Sequence, residues 1–241
     1  VDLGGEVVRN FMLPLGNTYS FFVTYANLAN WRPGNEGNVG NEGKVPSSSL
    51  SSLDKWILSE LHTLVADVTD AYEKYDVTAA TRPIEKFMGA LSNWYLRRSR
   101  RRFWKSESET DKAAYATLYE CLTTVAKLLA PAMPFMADAM YRNLVASIDP
   151  NAPESVHLTD WPTSQLWRID EKLMDDMRVV MRSASLGHAA RARANRKVRQ
   201  PLAEAAFSAP TPAEATAVRA YADLLADELN VKTVTVLDHA E

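Results

Sequence analysis

The sequence predicts a mainly α fold: a helical bundle over residues 1–168, then a long basic helix and a small strand–helix–strand α/β appendage over residues 169–241. Three observations predict it. Apolar residues recur at three- and four-residue spacing along most of the chain, as in helices that bury one face. The helical runs are separated by stretches rich in Gly, Pro, Asn and Ser, which read as loops. After Pro201 the period changes, and Leu202–Phe207 and Val231–Leu237 read as short strands on either side of one more helix.

Residues 4–30 form an aromatic-rich helical run in which Pro14 and Gly16 predict a bend near Leu13–Asn17, with Phe21, Phe22 and Tyr25 in the core. Residues 31–53 are dense in Gly, Asn and Ser and read as a surface loop. Periodicity returns at Leu53, with Asp54 as a cap and Trp56, Ile57, Leu61, Leu64 and Val68 on the buried face. The next helix starts at Asp76–Thr78 and runs to about Trp104, Pro83 lying near its start. Ser108 or Thr110 can cap a helix through Tyr115, Leu118, Leu122, Val125 and Leu129, which Pro131 and Pro134 bend before Phe135, Met136, Met140, Tyr141 and Leu144 continue it. Residues 148–168 are turn-rich, and His157 has no cysteine or serine placed to make it catalytic. A long helix from Ile169 to about Val198 follows, then a helix from Thr211 to Leu229 with Thr211 as cap and Pro212 at its first position.

Composition excludes several classes. A single cysteine, Cys121, allows neither an internal disulfide framework nor a zinc site built from several thiolates. No apolar stretch approaches bilayer length and no signal-peptide pattern opens the chain, so no membrane role is expected. Val1 in place of methionine, with a helical pattern almost at once, reads as a piece of a longer protein.

Net charge is −3, yet the cations cluster. Asn93–Lys105 holds five arginines and one lysine among Trp94, Tyr95, Phe103 and Trp104, with no acidic residue. Guanidinium groups hold phosphates and aromatic rings stack on unpaired bases, so this composition suits RNA. The apolar stripe Ile84, Phe87, Met88, Leu91, Tyr95 continues into Arg98, Arg102 and Lys105. Arg98 and Arg102 either fold back onto core carboxylates or face an anion; Arg97, Arg100 and Arg101 lie off the stripe and face phosphate or solvent. A second acid-free stretch, between Met177 and Ala203, holds Arg191, Arg193, Arg196, Lys197 and Arg199. The expected nucleic-acid contacts are Arg97, Arg98, Arg100, Arg101, Arg102, Lys105, Trp94 and Trp104 in the first cluster and those five cations in the second. Asn93, Asn195 and Gln200 are the side chains offered for base edges.

The blocks LPLGNTYSFFVTYANL (13–28), LDKWILSELHTLV (53–65), ALSNWYLRRSRRRFW (90–104), LLAPAMPFMADAMYRNL (128–144), SVHLTDWP (155–162) and KVRQPL (197–202), in this order, resemble the anticodon-binding region of the isoleucyl-tRNA synthetases. The sister class I enzymes for valine and leucine share the bundle; the arginine run with SVHLTDWP and KVRQPL favours isoleucine. The resemblance implies the helical-bundle anticodon-binding domain of class I synthetases, a parent that ligates isoleucine to tRNA-Ile with ATP and Mg, and a cytoplasmic setting. HIGH and KMSKS motifs are absent from this sequence, so the chain by itself is expected to be non-catalytic, without cofactor or metal, and monomeric. Its expected partners are tRNA-Ile and the parent's catalytic domain. A helical scaffold that docks an acidic protein or that catalytic domain is the other reading.

Overall fold

A computed structural model describes residues 3–34, 49–105 and 108–237. The chain divides into two compact units, Val1–Ile169 and Asp170–Glu241. Most of the loop expected over 31–53 lies outside the described residues.

In the first unit, α1 (Leu3–Val7) passes through a π turn (Val8–Met12) into α2 (Leu13–Leu28). The run therefore stays helical through 13–17 instead of dividing there into two segments. Pro14 has no N–H to donate and its ring crowds the carbonyl of Asn10, four residues back. The ladder loosens into the π turn at that point, and Pro14 then sits in the first turn of α2, where its missing donor matters least. Helix α3 (Ser52–Glu73) opens with a reciprocal capping box: Ser51 Oγ accepts from the Asp54 N–H, and the Asp54 carboxylate accepts from the Ser51 N–H. Ser51 is thus the cap, and Asp54 is the third residue of the helix. At the far end Tyr75 takes the left-handed conformation (φ 60°). Its N–H bonds the Tyr72 carbonyl while Asp76 N–H bonds that of Ala71, the Schellman closure usually given to glycine.

Asp76 caps α4 (Val77–Ala90), which continues through a π turn (Leu91–Leu96) into α5 (Arg97–Lys105). Pro83 lies in the second turn of α4, inside the helix. Helix α6 (Glu109–Leu129) opens with a second capping box, Ser108 with Asp111. After the Pro131 turn come α7 (Pro134–Tyr141) and a third π turn (Arg142–Ala146). Helix α3 packs on α4 and α6, and α5 on α6. Trp56, Ile57, Leu61, Ile84, Met88, Leu91, Leu118 and Leu122 are fully buried, as their spacing predicts. Phe135 is the exception, 92 % exposed at the start of α7.

The 3-10 turns Val156–Leu158 and Leu166–Arg168 fasten residues 155–168 to the bundle. Ser59 Oγ donates to the Arg168 carbonyl (2.9 Å), and the Gln165 N–H donates to His62 Nδ1 (3.2 Å). Arg168 grips Glu120 with both terminal nitrogens, at 2.5 and 3.2 Å. His157 is exposed.

In the second unit, α8 (Glu171–Arg193) buries Leu173, Met177, Val180 and Ala184. Strands β1 (Leu202–Ser208) and β2 (Val231–Leu237) pair in parallel, Leu202 opposite Val231 and Ser208 opposite Leu237. A parallel pair needs a crossover. It is supplied by α9 (Pro212–Ala220), capped by Thr211, and α10 (Ala222–Leu229), so the single helix expected from 211 to 229 is broken at Tyr221. Gly187 lets α8 approach α10: a Cβ there would lie 2.6 Å from methyl carbons of Leu229. Among the described residues no helix is long and apolar enough to cross a membrane.

Burial and then the Arg168 charge lower the His62 pKa to about 4. The unfolded histidine, near 6.5, binds more protons than the folded one across that window, so stability rises with pH between about 4 and 6.5 and is lost as pH falls through it. Unfolding free energies measured by denaturant titration from pH 4 to 7 should show this slope, and His62→Gln should flatten it.

Candidate nucleic-acid interface

The basic residues of the cluster all lie on α5, directly after the π turn that holds Asn93, Trp94 and Tyr95. That turn inserts one extra residue into the helical ladder and rotates everything beyond it. The buried stripe consequently runs Leu91, Tyr95, Ser99, Phe103 instead of Tyr95, Arg98, Arg102, Lys105. Ser99 and Phe103 are 0 % and 2 % exposed, so Phe103 and Tyr95 are core residues with no face to offer a base.

Arg102, expected among the nucleic-acid contacts, has its guanidinium held by a core carboxylate. Asp54 is wholly buried. It accepts from Arg102 Nη1 and Nη2, both at 2.8 Å, from the Tyr95 hydroxyl at 2.7 Å and from Ser51 N–H and Oγ at 2.8 and 2.7 Å. Arg102 Nη2 also donates to the Thr110 carbonyl, beside the cap of α6. Burial disfavours the charge on Arg102, but the Asp54 hydrogen bond, Tyr95 and the Asp54 charge outweigh it and raise its pKa. Burial, and then the charge of Asp54, hold the Tyr95 pKa well above its usual value. Such a pair is more favourable the more of its lone pairs and protons find partners; the Asp54 carboxylate is saturated, while Arg102 Nε is buried without a hydrogen bond among the described residues.

Once Arg102 is held inward, Arg97, Arg100, Arg101 and Trp104 are exposed. Arg97 Nε donates to the Asn93 carbonyl (3.0 Å), Arg100 lies over the Phe21 ring at 5.9 Å, and Trp104 Nε1 donates to the Tyr25 hydroxyl (3.1 Å). Trp104 keeps 59 % of its surface open. Trp94 and Arg98 are half-buried. Lys105 ends α5, its side chain lying outside the described residues. Tyr25 and Asp54, which orient this face, were not singled out for it by the sequence; the Ser51–Asp54 spacing signals a helix start but not an ion pair with a residue 48 positions away.

The second cluster has a different construction. Helix α8 ends at Arg193 and not near Val198, because Asn195 adopts φ 55° and the Arg196 N–H returns to the Arg191 carbonyl (2.8 Å). Arg191 is 6 % exposed. Its Nη2 donates to the carbonyls of Lys197 (2.6 Å), Val198 (3.3 Å) and Gln200, and Asn230 Nδ2 also donates to that of Val198 (2.9 Å). Arg191, expected as a phosphate contact, is a strut inside the turn. With the carbonyls drawn inward, Arg193, Arg196, Lys197 and Arg199 stand exposed on the turn. Asn195, offered for a base edge, is the residue that closes the helix; Gln200 lends its carbonyl to Arg191, and Asn93 is exposed on the π turn.

Among the described residues no group of three or more His, Cys, Asp or Glu side chains could hold a metal ion. What α5 and the 194–200 turn can do is place fixed positive charge and an open indole against a polyanion.

Comparison with known proteins points the same way. Residues 54–206 match the family described as "Anticodon-binding domain of tRNA ligase". The chain is similar to the isoleucine–tRNA ligase of Dehalococcoides mccartyi, 52 % identical over 233 residues, which are 96 % of this chain and 22 % of that protein. It is 45 % identical over 242 residues to the Thermus thermophilus isoleucine–tRNA ligase, covering 100 % of this chain and 22 % of that protein. The Streptomyces avermitilis isoleucine–tRNA ligase is 40 % identical over 232 residues, 96 % of this chain and 21 % of that protein. The chain thus spans 21–22 % of the length of these curated relatives.

Removing the buried carboxylate strands the Arg102 charge. Asp54→Ala should cost about 3–5 kcal/mol of stability, whereas Arg101→Ala, at an exposed position, should stay within about 0.5 kcal/mol. Chemical denaturation of the two variants beside the unsubstituted chain measures both.

Proposed function

Because the chain belongs to the family of anticodon-binding domains of tRNA ligases, we propose that it holds the anticodon stem and loop of a transfer RNA, isoleucine tRNA in particular. The observation that carries this reading is the outer face of α5, where Arg97, Arg100, Arg101 and Trp104 are exposed and no acidic residue lies between Arg97 and Lys105. Arginines at such spacing neutralise successive phosphates, which positions an RNA without reading it. Trp104 offers an indole face on which an unpaired base can stack. In the second unit Arg193, Arg196, Lys197 and Arg199 add a further phosphate surface. Relatives named isoleucine–tRNA ligase support isoleucine tRNA over the valine and leucine tRNAs.

Ligation of isoleucine, with the ATP and Mg²⁺ it uses, is proposed for the longer protein, since this chain matches 21–22 % of the length of such relatives. The chain acts as a monomeric binding part, in the cytoplasm where translation runs. Phe135, 92 % exposed on the bundle, supports a docking contact with the parent's catalytic domain.

Filter binding of labelled isoleucine, valine and leucine tRNAs across a salt series tests this reading. Isoleucine tRNA should bind tightest, with log affinity falling linearly in log salt. Arg100→Ala and Arg101→Ala should each reduce that slope by about one unit. A preference for valine or leucine tRNA would remove the isoleucine assignment, and a flat salt response would remove phosphate contact by α5.

A further inference from the structure

The first unit contains a cleft of about 480 Å³, within the range of small-ligand sites. Three aromatic side chains, Phe22, Trp31 and Tyr119, form its walls, and Asn27, Arg32 and Asn143 bring polar groups to it. Trp31 meets Phe22 edge-on at 5.8 Å and Tyr119 at 5.6 Å. Arg32 Nη1 donates to the Trp31 carbonyl (2.9 Å) and more weakly to Asn27 Oδ1 (3.4 Å), so the guanidinium keeps unused donors. Asn143 Nδ2 donates to the Tyr19 hydroxyl. Burial raises the Tyr119 pKa to about 12, so its hydroxyl stays protonated at neutral pH.

The cleft is joined to the basic helix by rings. Arg100 lies over Phe21; Phe21 meets Phe103 at 5.3 Å, Phe103 meets Tyr115 at 4.8 Å, and Tyr115 stacks on Trp31 at 5.9 Å with 19° between planes. Three ring-to-ring steps, none longer than 5.9 Å, therefore separate the ring beneath an exposed arginine from the wall of the cleft. That span lies within the length of about four nucleotides that single-strand grooves commonly hold.

Aromatic walls, a guanidinium with spare donors and carboxamide groups together fit one class of ligand: a flat ring with hydrogen-bonding edges. We infer that this cleft receives an unpaired nucleobase of an RNA whose phosphates lie on α5. The inference rests on the proposed function and adds to it a base-binding site remote from Trp104. Phosphate contacts on α5 set the strand along the helix; the cleft takes a base turned out of the stack, with Arg32 and the carboxamides facing its edge.

The test uses the whole chain, the isoleucine-tRNA anticodon stem–loop, and Asn27→Phe. Asn27 is exposed, so a phenylalanine there fills the cleft without entering the core. Loss of one stacked base should weaken stem–loop binding roughly tenfold while leaving the salt slope unchanged, since no phosphate contact is touched. A series of stem–loops lacking one loop base at a time should contain one member that binds the unsubstituted chain equally weakly and is indifferent to Asn27→Phe. Circular dichroism and thermal melting confirm that the variant is folded. Normal salt-dependent binding that Asn27→Phe leaves unchanged would overturn the cleft site while keeping RNA binding. Absence of any stem–loop binding at low salt would overturn both. Saturable binding of a free nucleoside monophosphate that Asn27→Phe abolishes, with stem–loop affinity unaffected, would make the occupant a free nucleotide and overturn the RNA base.

Discussion

The buried carboxylate of Asp54 is the constraint on which the first unit depends. It lies in the opening turn of α3 and accepts from two nitrogens of Arg102, from Tyr95 and from Ser51, while Arg102 reaches on to the Thr110 carbonyl. One interaction therefore links the start of α3, the π turn, the helix that follows it and the entrance to α6. Its value lies less in net stability than in rotation, because a buried pair seldom outperforms well-packed apolar groups yet admits one geometry only. With Arg102 drawn inward and Phe103 beside it in the core, the helix can turn only one way. Arg97, Arg100, Arg101 and Trp104 are then outside.

The π turn makes that rotation possible. A regular helix carrying the stripe from Tyr95 onward would bury Arg98 and leave Phe103 in solvent. One additional residue in the turn brings Phe103 into the core and leaves Arg98 half-buried, with Arg97, Arg100 and Arg101 exposed on the nine-residue helix Arg97–Lys105. The cost of a weaker hydrogen-bond ladder is offset by a buried phenylalanine and by keeping Arg97, Arg100 and Arg101 out of the core. Phe103 also connects the ring ladder, so the turn that exposes the arginines also joins them to the Trp31 cleft.

The second unit reaches a similar end by another route. A left-handed asparagine stops α8, and Arg191 gathers three carbonyls of the following turn from within. Peptide oxygens facing inward leave the side chains of Arg196, Lys197 and Arg199 no place but the surface. In each unit, then, one arginine is removed from the cationic set and its removal orients the rest: Arg102 against a carboxylate, Arg191 against backbone.

Most helices, their caps and the strand–helix–strand order can be read from the sequence, because 3.6-residue periodicity, a Ser-x-x-Asp box or a Pro at the first position are short-range causes acting within a turn or two. The basic clusters are equally plain, since charge density is a property of composition. Which arginine is drawn into a core ion pair is not local. Arg102 and Arg98 stand equivalent in the sequence, and they part only when the π turn fixes the rotation of α5 and packing carries Asp54 to a place 48 residues away along the chain. The early stop of α8 and the burial of Arg191 likewise follow from contacts with Asn195, Gln200 and their neighbours, a geometry that exists only after the chain has turned. The sequence alone determined what kinds of group this protein could present; three-dimensional packing decided which of them it does present, because burial and pairing depend on distances that periodicity does not encode.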